Sequence, residues 1–421
     1  MTGLRQRVVL KSRSTEDSDD EEPPPATHSR TNSGDVVARA EGKKRKILVR
    51  TVVGFGLIFG FFGIIWAGHL YLSALVVLVQ ALVFKEMVNV RYSAAKERDM
   101  PLFRTLQWSW FAVAIFYAYG DFLHEFVQDH MALLWLSRLT IYHAWISFSM
   151  YCTVFVVSVL TLKKGLYKYQ VGQLTWTIVT ICMIVAQLKF VAHNIFNGIF
   201  WFFFPASLVI CNDVSAYVCG MSMGRKFIKA PFLKISPNKT WEGLIGAMLL
   251  TCVFGFYFSA FLSHYEWFTC PVESLSLRQE PLHCKPNDVF IAQMVQVPES
   301  FRHFLESFLF LELPVDEIHV KPIQLHALVM AAFVSVIAPF GGFWASAIKR
   351  AYGIKDFDSI IPGHGGVTDR MDCQFITALF TSVHYNTFIR KNTVESLLAG
   401  AMLLAEEDRW ELLDRLRTIL E

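Results

Sequence analysis

An all-α polytopic membrane protein of about nine transmembrane helices is the fold class this sequence predicts, and three observations predict it. Of 421 residues, 53% are hydrophobic and only 18% charged, with 37 Phe and 11 Trp, whereas a soluble globular chain carries about 25% charged residues. The apolar residues gather into runs near the ~20 residues needed to cross ~30 Å of hydrocarbon. Lys and Arg recur in every second connection between those runs, the bias that marks the cytosolic side. A mean hydropathy of +0.38 agrees. This composition excludes a disordered, coiled-coil, collagen-like or disulfide-knot protein. A net charge of +3 is too near neutral for a nucleic-acid binder, so no nucleic-acid partner is expected.

The chain divides at about residue 47. Residues 1–46 form a polar tail with the acidic run Glu16-Asp17-Ser18-Asp19-Asp20-Glu21-Glu22 followed by Pro23-Pro24-Pro25; such a segment buries too little apolar surface to offset its ordering entropy and is expected to be disordered. It is no secretory signal, because the acidic run precedes any apolar stretch and no small-residue cleavage site is evident. Ser14, Ser18 and Ser33 are either phosphorylation sites or plain solvated linker. Lys43-Lys44-Arg45-Lys46 with Arg50 abuts the first apolar run, so the N-terminus is expected in the cytosol.

A transmembrane domain over 47–392 comes next, with spans expected at 51–67, 70–90, 106–123, 143–162, 173–191, 196–219, 243–263, 324–346 and 373–389. The last is interrupted by His384, Tyr385 and Asn386. With the N-terminus inside, the connections 91–105, 163–172 and 220–242 all fall inside and are all rich in Lys or Arg, whereas 124–142 carries Glu125 and Asp129. The long connection 264–323 then lies on the lumenal side, and 347–372 returns to the cytosol. Residues 393–421 place Leu397, Leu398, Met402, Leu403, Leu412, Leu413, Leu416 and Ile419 at helical spacing. That predicts an amphipathic helix suited either to a second copy of the chain, as a homodimer, or to the membrane surface.

Of the eight cysteines, Cys152, Cys182, Cys211, Cys219 and Cys252 sit inside apolar runs and read as small buried hydrophobes. Cys270 and Cys284 lie fourteen apart in the polar connection 264–323. A lumenal position would let them pair, and the sequence leaves open whether they do.

Chemistry is expected in the polar segments that share the cytosolic face. Within the segment 346–372, Lys349 and Arg350 taken alone suit plain topology markers. Pro362-Gly363-His364-Gly365-Gly366 reads as a turn whose glycines expose successive backbone N–H groups, a cradle for phosphate oxygens. Asp369 and Asp372 are three apart, so a helix there puts both carboxylates on one face, where they could share a divalent cation. Carboxylates at a membrane boundary are costly unless paired, hydrated or metal-bound. Asn212-Asp213 occupies the sixth span, Asp213 reading as a ligand and Asn212 either as its companion or as a helix-to-helix hydrogen bond. Upstream, Ser236-Pro237 reads as a helix start with an N-cap. Lys234 and Lys239 suit phosphate or lipid headgroups, and Glu242 a metal-facing or salt-bridging side.

These residues carry a resemblance. Ser346, Lys349, Arg350, Lys355, Asp356, Pro362, His364, Gly365, Gly366, Asp369, Arg370 and Asp372 are similar, at matching spacing, to the signature of the phosphatidate cytidylyltransferases, the CDP-diacylglycerol synthases. Ser236-Pro237-Asn238-Lys239-Thr240-Trp241-Glu242-Gly243 and Asn212-Asp213-Val214-Ser215-Ala216-Tyr217 resemble the eukaryotic form of that family. The resemblance runs from about residue 47 to the end. One departure stands out: many bacterial members carry Gly-Asp-Leu before the signature serine, where this chain has Gly341-Gly342-Phe343.

The resemblance implies an active site at the cytosolic face of the endoplasmic reticulum membrane, converting CTP and phosphatidate to CDP-diacylglycerol and pyrophosphate with Mg²⁺. Asp369 and Asp372 would hold the cation, with Asp213 or Asp356 completing its site. Lys349, Arg350, Lys355 and Arg370 would take phosphate charge, Gly365 and Gly366 would offer backbone donors, and Ser346 and Asn212 would line the substrate site. His364 would protonate the leaving group or shape the turn. Lys239, with Ser236, would meet the phosphatidate headgroup, whose acyl chains stay between spans beside a lateral opening. Two other classes fit less well. A cation channel or transporter leaves the basic residues and the glycine turn without a purpose and predicts internal repeats that are not evident; a CTP-dependent lipid kinase would transfer the γ-phosphate instead.

Overall fold

A computed structural model describes residues 33–92, 100, 102–230, 232–233, 236, 239–272, 282–296, 317–390, 398, 401–402 and 404–420, with backbone alone over 33–47. The helices are α1 (Ser33–Ala67), α2 (His69–Val90), α3 (Phe103–Asp129), α4 (His143–Leu160), α5 (Tyr167–Phe196), α6 (Phe200–Met223), α7 (Trp241–Leu262), α8 (Pro322–Val336), α9 (Pro339–Tyr352), α10 (Thr368–His384) and α11 (Glu406–Leu420). Two units divide the chain, Met1–Val52 and Val53–Glu421. The first contributes the opening turns of α1, and the second holds the remaining helices and every signature residue.

The nine expected spans fall on helical stretches, one of them divided between two helices, and seven stretches among the described residues are long and apolar enough to cross a membrane. The chain is an all-α polytopic membrane protein. The other two differ for physical reasons. Helix α3 carries Asp121, His124, Glu125 and Gln128 along its second half, and α10 has only 17 residues before passing into π geometry over Tyr385–Ile389. The expected span 324–346 is broken: α8 ends at Val336 and α9 starts at Pro339, whose ring cannot continue the ladder of the preceding turn. Ser346, Lys349 and Arg350 therefore ride on a helix rather than a loop, and the irregular connection is 353–367.

The boundary at 47 also moves. Helix α1 begins at Ser33, so residues 33–46, expected as disordered tail, are helical, as suits Ala38, Arg39, Ala40, Glu41 and the following lysines. The acidic run, the proline triplet, Ser14 and Ser18 lie outside the described residues. So do Lys234, Pro237, Asn238, the middle of the 264–323 connection and most of 391–403. The amphipathic expectation at the C-terminus falls on α11.

Helix α6 is the pivot of the bundle and packs on α7, α8 and α10. Phe200, Trp201, Phe204 and Leu208 of α6 are fully buried with Ile323 and Met330 of α8. Outward, Leu249, Val253, Tyr257 and Phe261 of α7 are exposed, a lipid-facing stripe at helical spacing. Since hydrocarbon drives no helix association by itself, polar contacts add specificity between spans. The Asn194 amide donates to the Ala378 carbonyl at 3.1 Å, the Gln374 amide to Ala206 at 3.3 Å and the Trp176 indole to Met87 at 2.8 Å.

In the connection between α7 and α8, strands β1 (Gln293–Gln296) and β2 (Glu317–Val320) pair antiparallel, with Gln293 across from Val320. Cys270 and Cys284 are joined by a disulfide across a separation of 14 residues. Mass tagging under denaturing conditions should label both thiols only after reduction. Cys284→Ser should lower the unfolding midpoint, since closing a loop of this size contributes ~3 kcal/mol.

Candidate active site

The connection between α9 and α10 is fastened by a residue far from it in sequence. Glu86, on α2 and 0% exposed, accepts hydrogen bonds from the Val367 and Thr368 amides at 2.7 Å each. These belong to the opening turn of α10, whose first amides have no partner within the helix and favour negative charge. Asp369 ties the same turn from the other side. One carboxylate oxygen takes the Lys349 ammonium of α9 at 2.5 Å, and the other accepts from Phe357 N at 3.2 Å and Gly366 N at 3.3 Å. The Arg370 guanidinium donates twice to the His364 carbonyl, at 3.2 and 2.8 Å. Gly365 reverses the chain with φ of 81°, a conformation side chains resist, and a Cβ there would sit 3.6–3.7 Å from the Asp369 and Asp356 carboxylates. The turn therefore brings Asp356 beside Asp369.

Asp372, one turn further along α10, faces α9 instead. A Cβ at Gly341 would collide with the Asp372 carbonyl oxygen, and one at Gly342 would lie 3.3 Å from its carboxylate. The glycine pair, in which Gly342 stands where the bacterial pattern has an acid, thus lets α9 and α10 close around Asp372. One Asp372 oxygen accepts from Cys373 N at 2.8 Å. The charges of Asp213 on α6 and Lys349 on α9 bear on Asp372, while those of Lys239 and Arg370 bear on Asp213. Asp213 and Asp372 thus share one charged neighbourhood, with Lys239, Lys349 and Arg370 around it. Asp369 is on the same helix but turned to Lys349 and the loop. Among the described residues no three His, Cys, Asp or Glu side chains converge as a ready metal set.

The α6–α7 connection supplies Lys239, whose ammonium lies 5.1 Å over the Phe343 ring of α9. Here the expected helix start is corrected. The N-cap is Thr240, whose hydroxyl accepts from Gly243 N at 3.2 Å, because the chain at Ser236 is still turning, with Ser236 N bonded to Leu233 O and Lys239 N to Ser236 O. The Glu242 carboxylate is engaged by backbone, accepting from the amides of Arg225, Phe227 and Ile228 at 3.2, 3.0 and 2.8 Å. Asn212 is buried, its carboxamide oxygen 3.5 Å from the Thr251 hydroxyl of α7. Ser346 is half-buried on α9, and Arg350 and Lys355 are exposed. His364 lies against Gly54 of α1, with its Nδ1 3.3 Å from the Pro362 carbonyl. The amides of the glycine turn are partly committed, His364 N to Ile361 O and Gly366 N to Asp369.

The model of the cytidylyltransferase family matches residues 48–388. A probable phosphatidate cytidylyltransferase of Dictyostelium discoideum is 43% identical over 382 residues, spanning 90% of this chain and 79% of that one. The phosphatidate cytidylyltransferase of Saccharomyces cerevisiae is 38% identical over 382 residues, with 90% and 81% covered, and phosphatidate cytidylyltransferase 2 of Mus musculus is 35% identical over 446, with 100% and 97% covered. The chain belongs to the cytidylyltransferase family.

In this cytidylyltransferase, Glu86 is the residue of the candidate site that the sequence patterns did not single out. Its signal was present: an acid inside the apolar stretch 70–90, where ionisable groups carry a role by default. Glu86→Ala should lower the melting temperature and the activity together, because each buried amide left without a partner costs about 1–3 kcal/mol, and Glu86→Gln, which keeps one acceptor, should recover part of both. Gly341→Ala should abolish most activity in a chain that still inserts, since it forces α9 off Asp372; labelled-CTP turnover against expression level reads this.

Proposed function

We propose that this cytidylyltransferase transfers the cytidylyl group of CTP to phosphatidate, giving CDP-diacylglycerol and pyrophosphate. It would work at the cytosolic face of the endoplasmic reticulum membrane, with its N-terminus in the cytosol, and feed synthesis of phosphatidylinositol and cardiolipin-type lipids. The observation that carries the reading is the family match across the whole signature, with Asp213 and Asp372 set among Lys239, Lys349 and Arg370. The Cys270–Cys284 disulfide, in the connection expected on the lumenal side, supports the orientation, because such bonds persist in oxidising compartments. A homodimer belongs to the same reading, supported by the exposed Leu413, Leu416 and Ile419 of α11.

The reaction joins two polyanions, so the protein must neutralise charge and align the reactants in line. A phosphomonoester oxygen of phosphatidate attacks the α-phosphorus of CTP, the bond to the bridging oxygen breaks, and pyrophosphate leaves with that electron pair. With a second pKa of about 6 a phosphomonoester is largely dianionic at neutral pH, and no protein base is required. Lys239 meets the phosphatidate headgroup, with Ser236 beside it. Lys349, Arg350, Lys355 and Arg370 receive the nucleotide phosphates, with Ser346 and the Gly365–Gly366 backbone lining them. His364 holds the turn through its carbonyl and sits where a departing phosphate could take its proton.

Mg²⁺ is bound through one or two carboxylates plus substrate phosphates and water. Asp213 and Asp372, two carboxylates in one neighbourhood, fit that demand and would hold it, whereas the Asp369 oxygens are engaged by Lys349, Phe357 N and Gly366 N. Asp369 would be available to it if Lys349 turned to a phosphate. Bound there, the cation would offset charge on the α-phosphate and the leaving pyrophosphate.

The test follows phosphorus. With CTP labelled at the α-position, purified protein and phosphatidate should yield a labelled lipid and unlabelled pyrophosphate in equal amounts. Label reaching lipid only from the γ-position would make the protein a kinase, and none from either would remove the reading. Lys349→Met should lower turnover by roughly 10²–10³, the worth of one well-placed charge donor in a water-poor site.

A further inference from the structure

We propose that the cavity between α3, α4 and α5 is a non-catalytic phospholipid site that takes one acyl chain and hydrogen-bonds its ester carbonyl through Ser147. The cavity holds about 500 Å³, within the ~300–1,000 Å³ of small-molecule pockets. Its walls are Trp110 and Tyr117 of α3, Tyr151 and Phe155 of α4, and Ile178 and Cys182 of α5. None of these helices carries a signature residue, so the site is separate from the catalytic neighbourhood.

Ser147 points to a ligand. It lines the cavity, is 2% exposed, and its hydroxyl has no partner. Its neighbours on α4 behave otherwise: Ser149, Thr153 and Ser158 each donate to the carbonyl four residues back, at 2.9, 2.9 and 2.7 Å. A buried hydroxyl left unpaired is costly, and a lipid ester carbonyl entering the cavity would supply the acceptor. The placement fits one. Ser147 is four residues from the start of α4, about 6 Å from the helix end at 1.5 Å per residue, near the depth where hydrocarbon gives way to the polar interface. From there the cavity runs along α4 to Phe155, about 12 Å deeper by the same rise, toward mid-membrane. An acyl chain with its ester at Ser147 would follow that path.

The walls are fixed in advance. The Trp110 indole donates to the Ser158 hydroxyl at 3.0 Å and its ring meets Tyr151 edge-on at 5.4 Å. Helix α5 opens its ladder into π geometry at Cys182–Ala186, a departure frequent at functional sites. No charged side chain lines the cavity, so it reads chain and ester but not headgroup. A phosphatidylcholine should enter as readily as a phosphatidate.

Photo-crosslinking tests this, using protein in nanodiscs with phosphatidylcholine or phosphatidate carrying a mid-chain diazirine. Both probes should label Tyr151, Ile178 or Cys182 well above the lipid-facing Leu249 and Tyr257 of α7. Ala114→Phe, which fills the cavity, should cut that labelling several-fold. Ser147→Ala should weaken phosphatidylcholine retention about fivefold, the worth of one neutral hydrogen bond, with cytidylyl transfer unchanged, and it keeps the test open if Ala114→Phe fails to fold. Labelling no denser in the cavity than on α7, or unmoved by both substitutions, overturns the proposal. Labelling by phosphatidate alone also overturns it and puts the groove on the substrate's route.

Discussion

Carboxylates that accept backbone amides hold the signature end of this protein together. Irregular chain at a membrane boundary has amides that neither a helix ladder nor bulk water fully serves, and each one left bare is costly. Glu86 takes two amides of α10, Asp369 takes two of the connecting turn together with Lys349, and Glu242 takes three of the connection before α7. The positions of the α9–α10 and α6–α7 connections follow from these bonds. So does a division of labour: the Glu86, Glu242 and Asp369 oxygens spent on amides are not free for a substrate or a cation, while Asp372 gives one oxygen to Cys373 N and shares its charged neighbourhood with Asp213.

The break between α8 and α9 serves the same end. Restarting at Pro339 turns the helix so that Lys349 reaches Asp369 while Gly341 and Gly342 admit the Asp372 backbone and carboxylate. Position along one helix therefore separates an anchoring contact from a charged neighbourhood one turn away. Lys239 reaches that neighbourhood from a third element through its ring contact with Phe343.

Much of this was legible in the sequence. Apolar run length located the helical stretches, though not the break within 324–346, and the spacing of basic and acidic residues in 346–372 pointed to the candidate site, because both signals are local. The pairing of Cys270 with Cys284 was also within reach as one of two outcomes. The rest depends on contacts between distant segments. That Glu86 belongs to Thr368 is a bond across 282 positions that no window of sequence contains. That Glu242 serves amides instead of a cation depends on how residues 225–228 turn, with Arg225 at a φ of 60°. Asp369 and Asp372 share a helix face by spacing, yet one turn of offset gives them different neighbours, which only packing decides. The helical extension of α1 back to Ser33 shows the opposite failure, where average composition hid good local helix formers.

The central claim is that Asp369 anchors the loop while Asp372 and Asp213 face the cation, and a magnesium titration of cytidylyl transfer tests it most directly. Asp372→Asn and Asp213→Asn should each raise the magnesium concentration for half-maximal rate by tenfold or more. Asp369→Asn should lower the maximal rate and the thermal stability while leaving that concentration within about twofold. A large shift in magnesium requirement for Asp369→Asn, with none for Asp372→Asn, would contradict the account.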